Sequence, residues 1–169
     1  MRAGDIPACA SLVATTPLWQ RYRYDARRCA RDLTEALERR DLLRVAVSGK
    51  SVVGLAWVLP RGGFGRIPYL KLLAVGEGAR SQGVGAALLR AIHRGGDLIL
   101  LVSDFNRRAR RFYAAQGYER VGAIRGLVLP ETTEILLFKR GVGAPTGSRR
   151  RRPFRRTDVS PAAVRSRAR

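Results

Sequence analysis

The sequence predicts an α/β fold, because two segments each read as a strand, a loop and a helix in that order. In the first, residues 69–75 form an apolar run that is too short for a typical helix and ends at Gly76. Residues 86–92 then have a strongly helix-forming composition. In the second, the apolar run 98–102 is followed by a short polar loop and a predicted helix over 107–118. Together the two units predict strands that alternate with helices.

The remaining elements fill out one predicted domain, residues 1–140, since a chain of 169 residues fits a single domain. From residue 141 onward the sequence lacks apolar periodicity, so 141–169 is predicted to be an Arg-rich disordered C-terminal tail. The glycine-rich residues 60–68 are predicted to form a loop before the strand 69–75, which is the predicted central strand. The other predicted elements are helices over 5–15, 18–24 and 26–39 and strands over 42–47, 51–59, 119–125 and 132–138.

The glycine-rich turn before the first of the two helices is a predicted anion site. Such a turn presents free backbone N–H groups and the positive end of the helix dipole, and pyrophosphate is the usual ligand. The lysine loop G-x-x-x-x-G-K-S/T is absent, and so is G-x-G-x-x-G, because Gly83 and Gly85 are followed by Leu88. The pattern that stands here is R-x-x-G-x-G, from Arg80 to Gly85.

This loop resembles the pyrophosphate loop of the GNAT-type N-acetyltransferase superfamily, which binds acetyl-CoA. The segment N-x-x-A-x-x-F-Y-x-x-x-G-Y, from Asn106 to Tyr118, resembles the second half of that family's signature. The resemblance implies a mixed, mostly antiparallel central sheet with a splayed parallel strand pair and helices on both faces. It also implies acetyl-CoA as co-substrate, a small-molecule or peptide amine as acceptor, and no metal. The family's first strand is expected to be short or missing here.

The resemblance also implies a role for individual residues. Tyr113 matches the tyrosine that gives a proton to the departing CoA thiolate, and a phenol pKa near 10 suits a donor at neutral pH. Asn106 matches a residue that caps its helix and touches the cofactor arm, although capping alone would explain it. For Tyr113 the alternative is a core aromatic. The remaining implied cofactor contacts are the backbone of Leu73 and Val75 and the loop residues Arg80, Gln82, Gly83, Val84 and Gly85.

The general base is left open by the sequence. Many relatives carry a glutamate on the central strand, where this chain offers Lys71 and no carboxylate. Lys71 is either an exposed lysine or a partner for a carboxylate on the acceptor. A water chain to a distant group is an alternative to a direct base. The candidate carboxylates are Glu77, Asp104, Glu131 and Glu134.

The net charge of +20 has two interpretations: affinity for polyanions, or a nucleotide composition that favours arginine, since thirty arginines stand against three lysines. Residues 141–169 hold nine arginines and one aspartate, a net +8, which leaves +12 for the rest of the chain. One alternative to the enzyme is therefore a basic protein associated with nucleic acid or the ribosome. A second alternative is a non-catalytic acyl-CoA sensor, which the missing carboxylate on the central strand permits. We expect weak polyanion binding by the tail, no membrane association and a homodimer. Cys9 and Cys29 lack metal or redox spacing, which favours reduced thiols and a cytoplasmic location.

Overall fold

A six-stranded mixed sheet forms the centre of this computed structural model, which describes residues 1–93 and 95–141. The strand order is β1-β2-β3-β4-β6-β5, and every neighbouring pair is antiparallel except the parallel pair β3–β4. This confirms the predicted mixed, mostly antiparallel sheet. The strands are β1 (Leu42–Ser48), β2 (Ser51–Gly63), β3 (Ile67–Val75), β4 (Leu98–Ser103), β5 (Glu119–Arg125) and β6 (Thr133–Lys139).

In the described part of the chain, five helices accompany the sheet. They are α1 (Ile6–Ala14), α2 (Pro17–Arg21), α3 (Ala26–Glu38), α4 (Val84–Ile92) and α5 (Arg107–Ala115), with 3-10 turns at Ala3–Asp5 and Glu77–Ala79. The helix α3 begins after Asp25, whose carboxylate accepts a hydrogen bond from Arg28 N at 2.7 Å. Among the described residues no strand precedes β1, so the short or missing first strand that we expected is indeed missing there.

The helices cover both faces of the sheet, as predicted. Because side chains alternate along a strand, β2 sends Leu55 and Trp57 to the face of α1 and α3, and Ala56 and Val58 to the face of α4 and α5. Trp57 is fully buried, and its indole N–H donates to Asp41 Oδ2 at 2.9 Å. Each face therefore has its own apolar core.

The two parallel strands β3 and β4 separate soon after they meet. Only Tyr69 and Leu70 of β3 pair with β4. The next residue, Lys71, is a bulge, since Leu70 pairs with Val58 of β2 and Leu72 already pairs with Trp57. Beyond the bulge, β3 continues to pair with β2 but, within residues 1–93 and 95–141, has no partner on its β4 side. This is the splayed parallel pair that the resemblance implied, and it leaves a gap in the middle of the sheet.

The predicted loop over 60–68 is wrong in most of its length. The strand β2 runs on to Gly63, which pairs with Ile67 at the start of β3. Pro60 falls in an irregular part of this ladder, where no N–H is needed. Gly63 is required by packing, because a Cβ there would overlap the side chain of Ile99. A glycine that suggested a loop therefore lies within β2, where it leaves room for the side chain of Ile99 on β4.

The helix predicted over 107–118 is shorter than expected. It ends at Ala115, and Gly117 has a left-handed backbone with φ +80° that leads the chain into β5. Apart from residue 141, the predicted C-terminal tail lies outside the described residues.

Candidate active site

A cavity of about 530 Å³ lies where β3 parts from β4. It is bounded by the second half of β3, the loop that follows it, the beginning of α4 and one side of α5. The predicted cofactor contacts Leu73, Val75 and Asn106 all line it. We call it the cofactor cavity. Its lining further includes Arg80, Ser81, Gly83, Val84, Gly85, Ala86, Arg108, Ala109, Phe112 and Tyr113.

The N-terminus of α4 opens into the cofactor cavity. The helix begins at Val84, and the residue before it, Gly83, has φ +78°. A side chain at Gly83 would meet open space, so glycine is favoured by the backbone conformation and not by crowding. Within the described part of the chain, the N–H groups of Val84, Gly85 and Ala86 have no acceptor, and Ala87 N is the first to bond, to Gly83 O at 2.9 Å. These three N–H groups form an anion cradle.

Two arginines flank this cradle, and both are loosely held. Arg80 Nε lies 3.4 Å from Val75 O, and its guanidinium lies 3.9 Å from the exposed Glu77. Arg108 donates to Ser81 Oγ at 3.2 Å. Both line the same cavity as the N-terminus of α4, where their positive charges have the same sign as that end of the helix dipole. Arg108 was not predicted individually, because the sequence gives no reason to prefer it over the other arginines of α5.

The predicted loop residues Gln82 and Gly85 occupy different positions. Gln82 is exposed and does not line the cofactor cavity, and its side-chain amide donates to Gly78 O at 2.7 Å. Gly85 lines the cavity beneath α5, and a Cβ there would lie 3.2 Å from the ring of Phe112. The absence of a side chain at Gly85 therefore allows α4 and α5 to pack closely around the cradle.

A second cavity, of about 410 Å³, lies on the other side of the same gap. We call it the acceptor cavity. Aromatic side chains form much of its wall: Trp19, Tyr22, Tyr24, Tyr69 and Tyr113. The two cavities share six wall residues, namely Leu18, Trp19, Leu73, Asn106, Ala109 and Tyr113. They are therefore adjacent halves of one site that passes through the split in the sheet.

Tyr113 stands at the boundary between the two halves. Its side chain is 8% exposed and packs against Phe112 and Tyr118, with ring centroids 5.3 and 5.4 Å away. Its hydroxyl has no hydrogen-bond partner among the described residues, and burial raises the pKa of Tyr113 above its usual value. A neutral phenol with a free O–H is thus available where the cavities meet. Its neighbour on the wall, Asn106, caps α5 by accepting from Ala109 N at 3.1 Å.

Trp19 supplies a second free donor at the same boundary. Its indole Nε1 is buried and has no partner among the described residues. The ring is held against Tyr22 and Tyr24, with centroids 6.0 and 5.6 Å away. An N–H in this state is costly unless a ligand or a water meets it.

Of the four candidate carboxylates, only Glu134 lines the acceptor cavity. Glu134 is 3% exposed as a residue and therefore buried, whereas the side chains of Glu77 and Glu131 are 93% and 63% exposed. Asp104 accepts from Phe105 N at 2.7 Å and lies outside the cavity wall. The structure therefore separates Glu134 from the other candidates, which the sequence could not do.

Lys71, the bulge of β3, also lines the acceptor cavity but has a partner inside the fold. Its ammonium lies 3.8 Å from the centre of the Trp57 ring, a cation–π contact. Burial lowers the pKa of Lys71, while the negative charge of Asp32 acts in the opposite direction. This arrangement supports a structural role for Lys71.

In the range 1–93 and 95–141, no cluster of three or more His, Cys, Asp or Glu side chains could hold a metal ion. Cys9 and Cys29 are free and fully buried. None of the described helices combines the length and the apolar character that a membrane crossing needs.

Comparison with known families identifies this arrangement. Residues 39–120 match the family model described as an acetyltransferase (GNAT) domain. Residues 39–120 therefore form a GNAT acetyltransferase domain. This confirms the resemblance seen in the two signature segments, both of which lie inside the matched range. A search of curated proteins by sequence finds no significant match.

Solved structures share the fold of this GNAT domain over most of its length. An aminoglycoside 6'-N-acetyltransferase complexed with coenzyme A is 18% identical, with a TM-score of 0.69, and the match covers 83% of this chain and 92% of that one. A ribosomal-protein-alanine N-acetyltransferase from Brucella melitensis is 21% identical, with a TM-score of 0.68 and coverages of 82% and 96%. An aminoglycoside 6'-N-acetyltransferase from Enterococcus faecium is 16% identical, with a TM-score of 0.69 and coverages of 85% and 94%.

Proposed function

We propose that this protein transfers an acetyl group from acetyl-CoA to a primary amine by direct attack in a ternary complex. The observation that carries the proposal is the pair of cavities that meet at Tyr113 in the gap between β3 and β4. A donor in one half and an acceptor in the other would bring thioester and amine together at the boundary. Holding two reactants in this way supplies much of the rate of such a reaction.

The residues of the cofactor cavity fit acetyl-CoA. The free N–H groups of the α4 cradle, those of Val84, Gly85 and Ala86, suit the pyrophosphate, with Arg80 and Arg108 supplying positive charge. The backbone N–H of Gln82 belongs to the same loop. The side-chain amide of Gln82 stabilises that loop by its hydrogen bond to Gly78 O. The unpaired edge of β3 at Leu73 and Val75 suits the amide groups of the pantetheine arm, which would pair with it as a further strand does. Asn106, at the boundary, is the proposed contact for the end of that arm.

The chemistry requires an acid at the sulfur and a donor for the carbonyl oxygen. As the amine forms the new C–N bond, the C–S bond breaks and Tyr113 donates its hydroxyl proton to the departing thiolate. A backbone N–H of β3 beside the gap would stabilise the negative charge that develops on the carbonyl oxygen. Burial of Tyr113 keeps its phenol protonated for this role.

The acceptor is a small-molecule or peptide amine. Two of the structural neighbours are named as aminoglycoside acetyltransferases and one as a ribosomal-protein-alanine acetyltransferase, so this fold serves both kinds of acceptor. We place the protein in the cytoplasm, where the free thiols Cys9 and Cys29 would stay reduced. The edge strand β5 exposes Val121 and Ile124, which fits the homodimer that we expect. Weak polyanion binding by 141–169 also remains a prediction.

The decisive experiment is a calorimetric titration of acetyl-CoA into CoA-free protein, at low and at raised salt. We expect saturable one-to-one binding that persists at raised salt. Arg108→Gln should weaken binding by about tenfold, because a charged hydrogen bond to phosphate is lost. The control Arg90→Gln, which changes an exposed arginine of α4 outside the cavity, should bind as the wild type does.

Two results would favour the alternatives. Binding that disappears at raised salt, and that responds equally to Arg108→Gln and Arg90→Gln, would mean that phosphates merely meet arginines, as expected of a basic polyanion-binding protein. Tight acetyl-CoA binding without release of CoA thiol in the presence of a panel of primary amines would favour an acyl-CoA sensor.

A further inference from the structure

The floor of the acceptor cavity is a buried carboxylate without a cation. Glu134 is 3% exposed, and in the described part of the chain no Lys, Arg or His nitrogen lies within 4.0 Å of its oxygens. A carboxylate removed from water is costly unless a positive charge compensates it. The described part of the protein therefore supplies no positive charge to compensate Glu134, which lies in a cavity where a ligand is expected.

The groups that do contact Glu134 are neutral hydroxyls. Ser103 Oγ donates to the carboxylate, with distances of 3.0 and 3.2 Å to its two oxygens. Tyr22 OH contacts Ser103 Oγ and lies 3.5 Å from Glu134 Oε1. Ser103 is opposite Glu134 in the β4–β6 ladder, so the sheet itself fixes this pair. The hydroxyls orient the carboxylate but leave its charge unbalanced.

The two cations in the cavity wall are engaged elsewhere. The Lys71 ammonium lies over the ring of Trp57, and the Arg28 guanidinium lies 5.4 Å from the centre of the Tyr24 ring. Neither forms an ion pair with Glu134. Glu134 is also the one acidic side chain in this lining, all of whose residues the structure describes.

We propose that Glu134 is the acceptor-binding carboxylate of this enzyme: it holds the protonated amine of the acceptor and then removes the proton that blocks attack. The proposal rests on the acetyltransferase function proposed above, and it requires that the acceptor carry a positive charge. The aromatic wall formed by Trp19, Tyr22, Tyr24 and Tyr69 favours a primary ammonium attached to an apolar or aromatic stem.

The proton balance is complete with the groups in the two cavities. Glu134 takes one proton from the ammonium, which leaves a lone pair on nitrogen. That lone pair forms the C–N bond to the acetyl carbon, the C–S bond breaks, and Tyr113 protonates the thiolate. The nitrogen loses a second proton, which restores Tyr113, and Glu134 releases its proton to water. The products are the acetylated amine, CoA thiol and one proton.

The test uses a matched pair of probes, 2-phenylethylammonium and the neutral 2-phenylethanol, titrated by calorimetry into the CoA-saturated full chain at constant ionic strength. The wild type should bind the ammonium saturably. Glu134→Gln should bind it at least tenfold more weakly, with the affinity for 2-phenylethanol unchanged. Glu131→Gln removes the same charge from an exposed position outside the cavity and should stay within twofold of the wild type.

Turnover gives a second, independent readout. With 2-phenylethylamine as acceptor, Glu134→Gln should lower kcat/KM by about 100-fold, within the range expected for loss of a general base. Glu134→Asp keeps the charge and should recover part of the ammonium binding. A purely structural role would instead lower the melting temperature of Glu134→Gln and affect both probes equally.

The outcomes separate the two proposals. If the wild type does not bind the ammonium, or if Glu134→Gln binds and acetylates it as the wild type does, the role of Glu134 is overturned while acetyl-CoA binding stands. If the ammonium binds through Glu134 but acetyl-CoA does not bind, the carboxylate site stands and the acetyltransferase function fails.

Discussion

The role of Tyr113 is tested most sharply by Tyr113→Phe, which removes one oxygen from the wall shared by the two cavities. The ring keeps its contacts with Phe112 and Tyr118, and the lost hydroxyl has no partner within the described residues. The free energy of unfolding should therefore change by less than about 1 kcal/mol, the typical net contribution of one hydrogen bond. Acetyl-CoA affinity should also stay within about twofold.

The effect on catalysis should be far larger. A positioned general acid contributes about 100- to 10,000-fold, which is roughly 3–5 kcal/mol of barrier at 1.36 kcal/mol for each tenfold change. The assay is the release of CoA thiol at saturating acetyl-CoA and amine, with the melting temperature and the acetyl-CoA affinity measured on the same samples. We expect kcat to fall by about 100-fold or more.

Tyr118→Phe is the matched control. Its hydroxyl is also buried without a partner among the described residues, and its ring packs on Tyr113, but it lines neither cavity of the site. It should keep a kcat close to that of the wild type. A kcat for Tyr113→Phe within threefold of the wild type, or an equal loss in both variants, would refute the assignment of Tyr113 as the acid.

Three further predictions concern pH, packing and thiol chemistry. Because burial raises the pKa of Tyr113 above 10, the proposed acid stays protonated up to at least pH 10. The kcat of the wild type should therefore show no decrease below pH 10 that is absent from Tyr113→Phe. Gly54→Ala should destabilise the fold by about 1–3 kcal/mol in urea unfolding, since its Cβ would lie 2.9 Å from a buried leucine methyl of α4, whereas Gly78→Ala, with nothing within 4 Å, should be close to neutral. Burial raises the pKa of Cys9 and Cys29 to about 11, so both should react with a thiol reagent at pH 8 only after denaturation; fast labelling of the native protein would contradict their packing between α1 and α3.

The sequence predicted the order of strands and helices well, because strong periodicity and helix caps are local features. It did not predict the bulge at Lys71, since the apolar run 69–75 contains no alternation that a bulge could visibly interrupt. The glycines at 62 and 63 also led to the prediction of a loop where the structure has a strand. Only the three-dimensional contact with Ile99 shows why a glycine belongs inside that strand. Both misses concern interactions between strands that the local sequence does not encode.

The two halves of the site also differ in how far their residues are apart in the sequence. Most of one short segment, from Arg80 to Gly85, lines the cofactor cavity, so a local motif was enough to predict that these residues lie together beside the start of α4. The acceptor half is assembled from distant parts of the chain. Tyr22 meets a serine 81 residues away and Glu134 112 residues away, and no spacing rule connects them. The sequence has no carboxylate on the central strand, and it does not distinguish Glu134, which lies two strands away on β6, from the other candidates.

The split in the sheet explains why the proposed acid and the proposed base occupy different places. The bulge at Lys71 ends the pairing of β3 with β4, and the gap beyond it opens both cavities. Tyr113 lines the boundary next to the cofactor half, whereas Glu134 lines only the acceptor half. Proton removal from the amine and proton delivery to the sulfur are then separated in space, so one residue can accept a proton while the other keeps its own. This separation allows a carboxylate on β6 to replace one on the central strand, because the base needs access to the amine and not to the thioester.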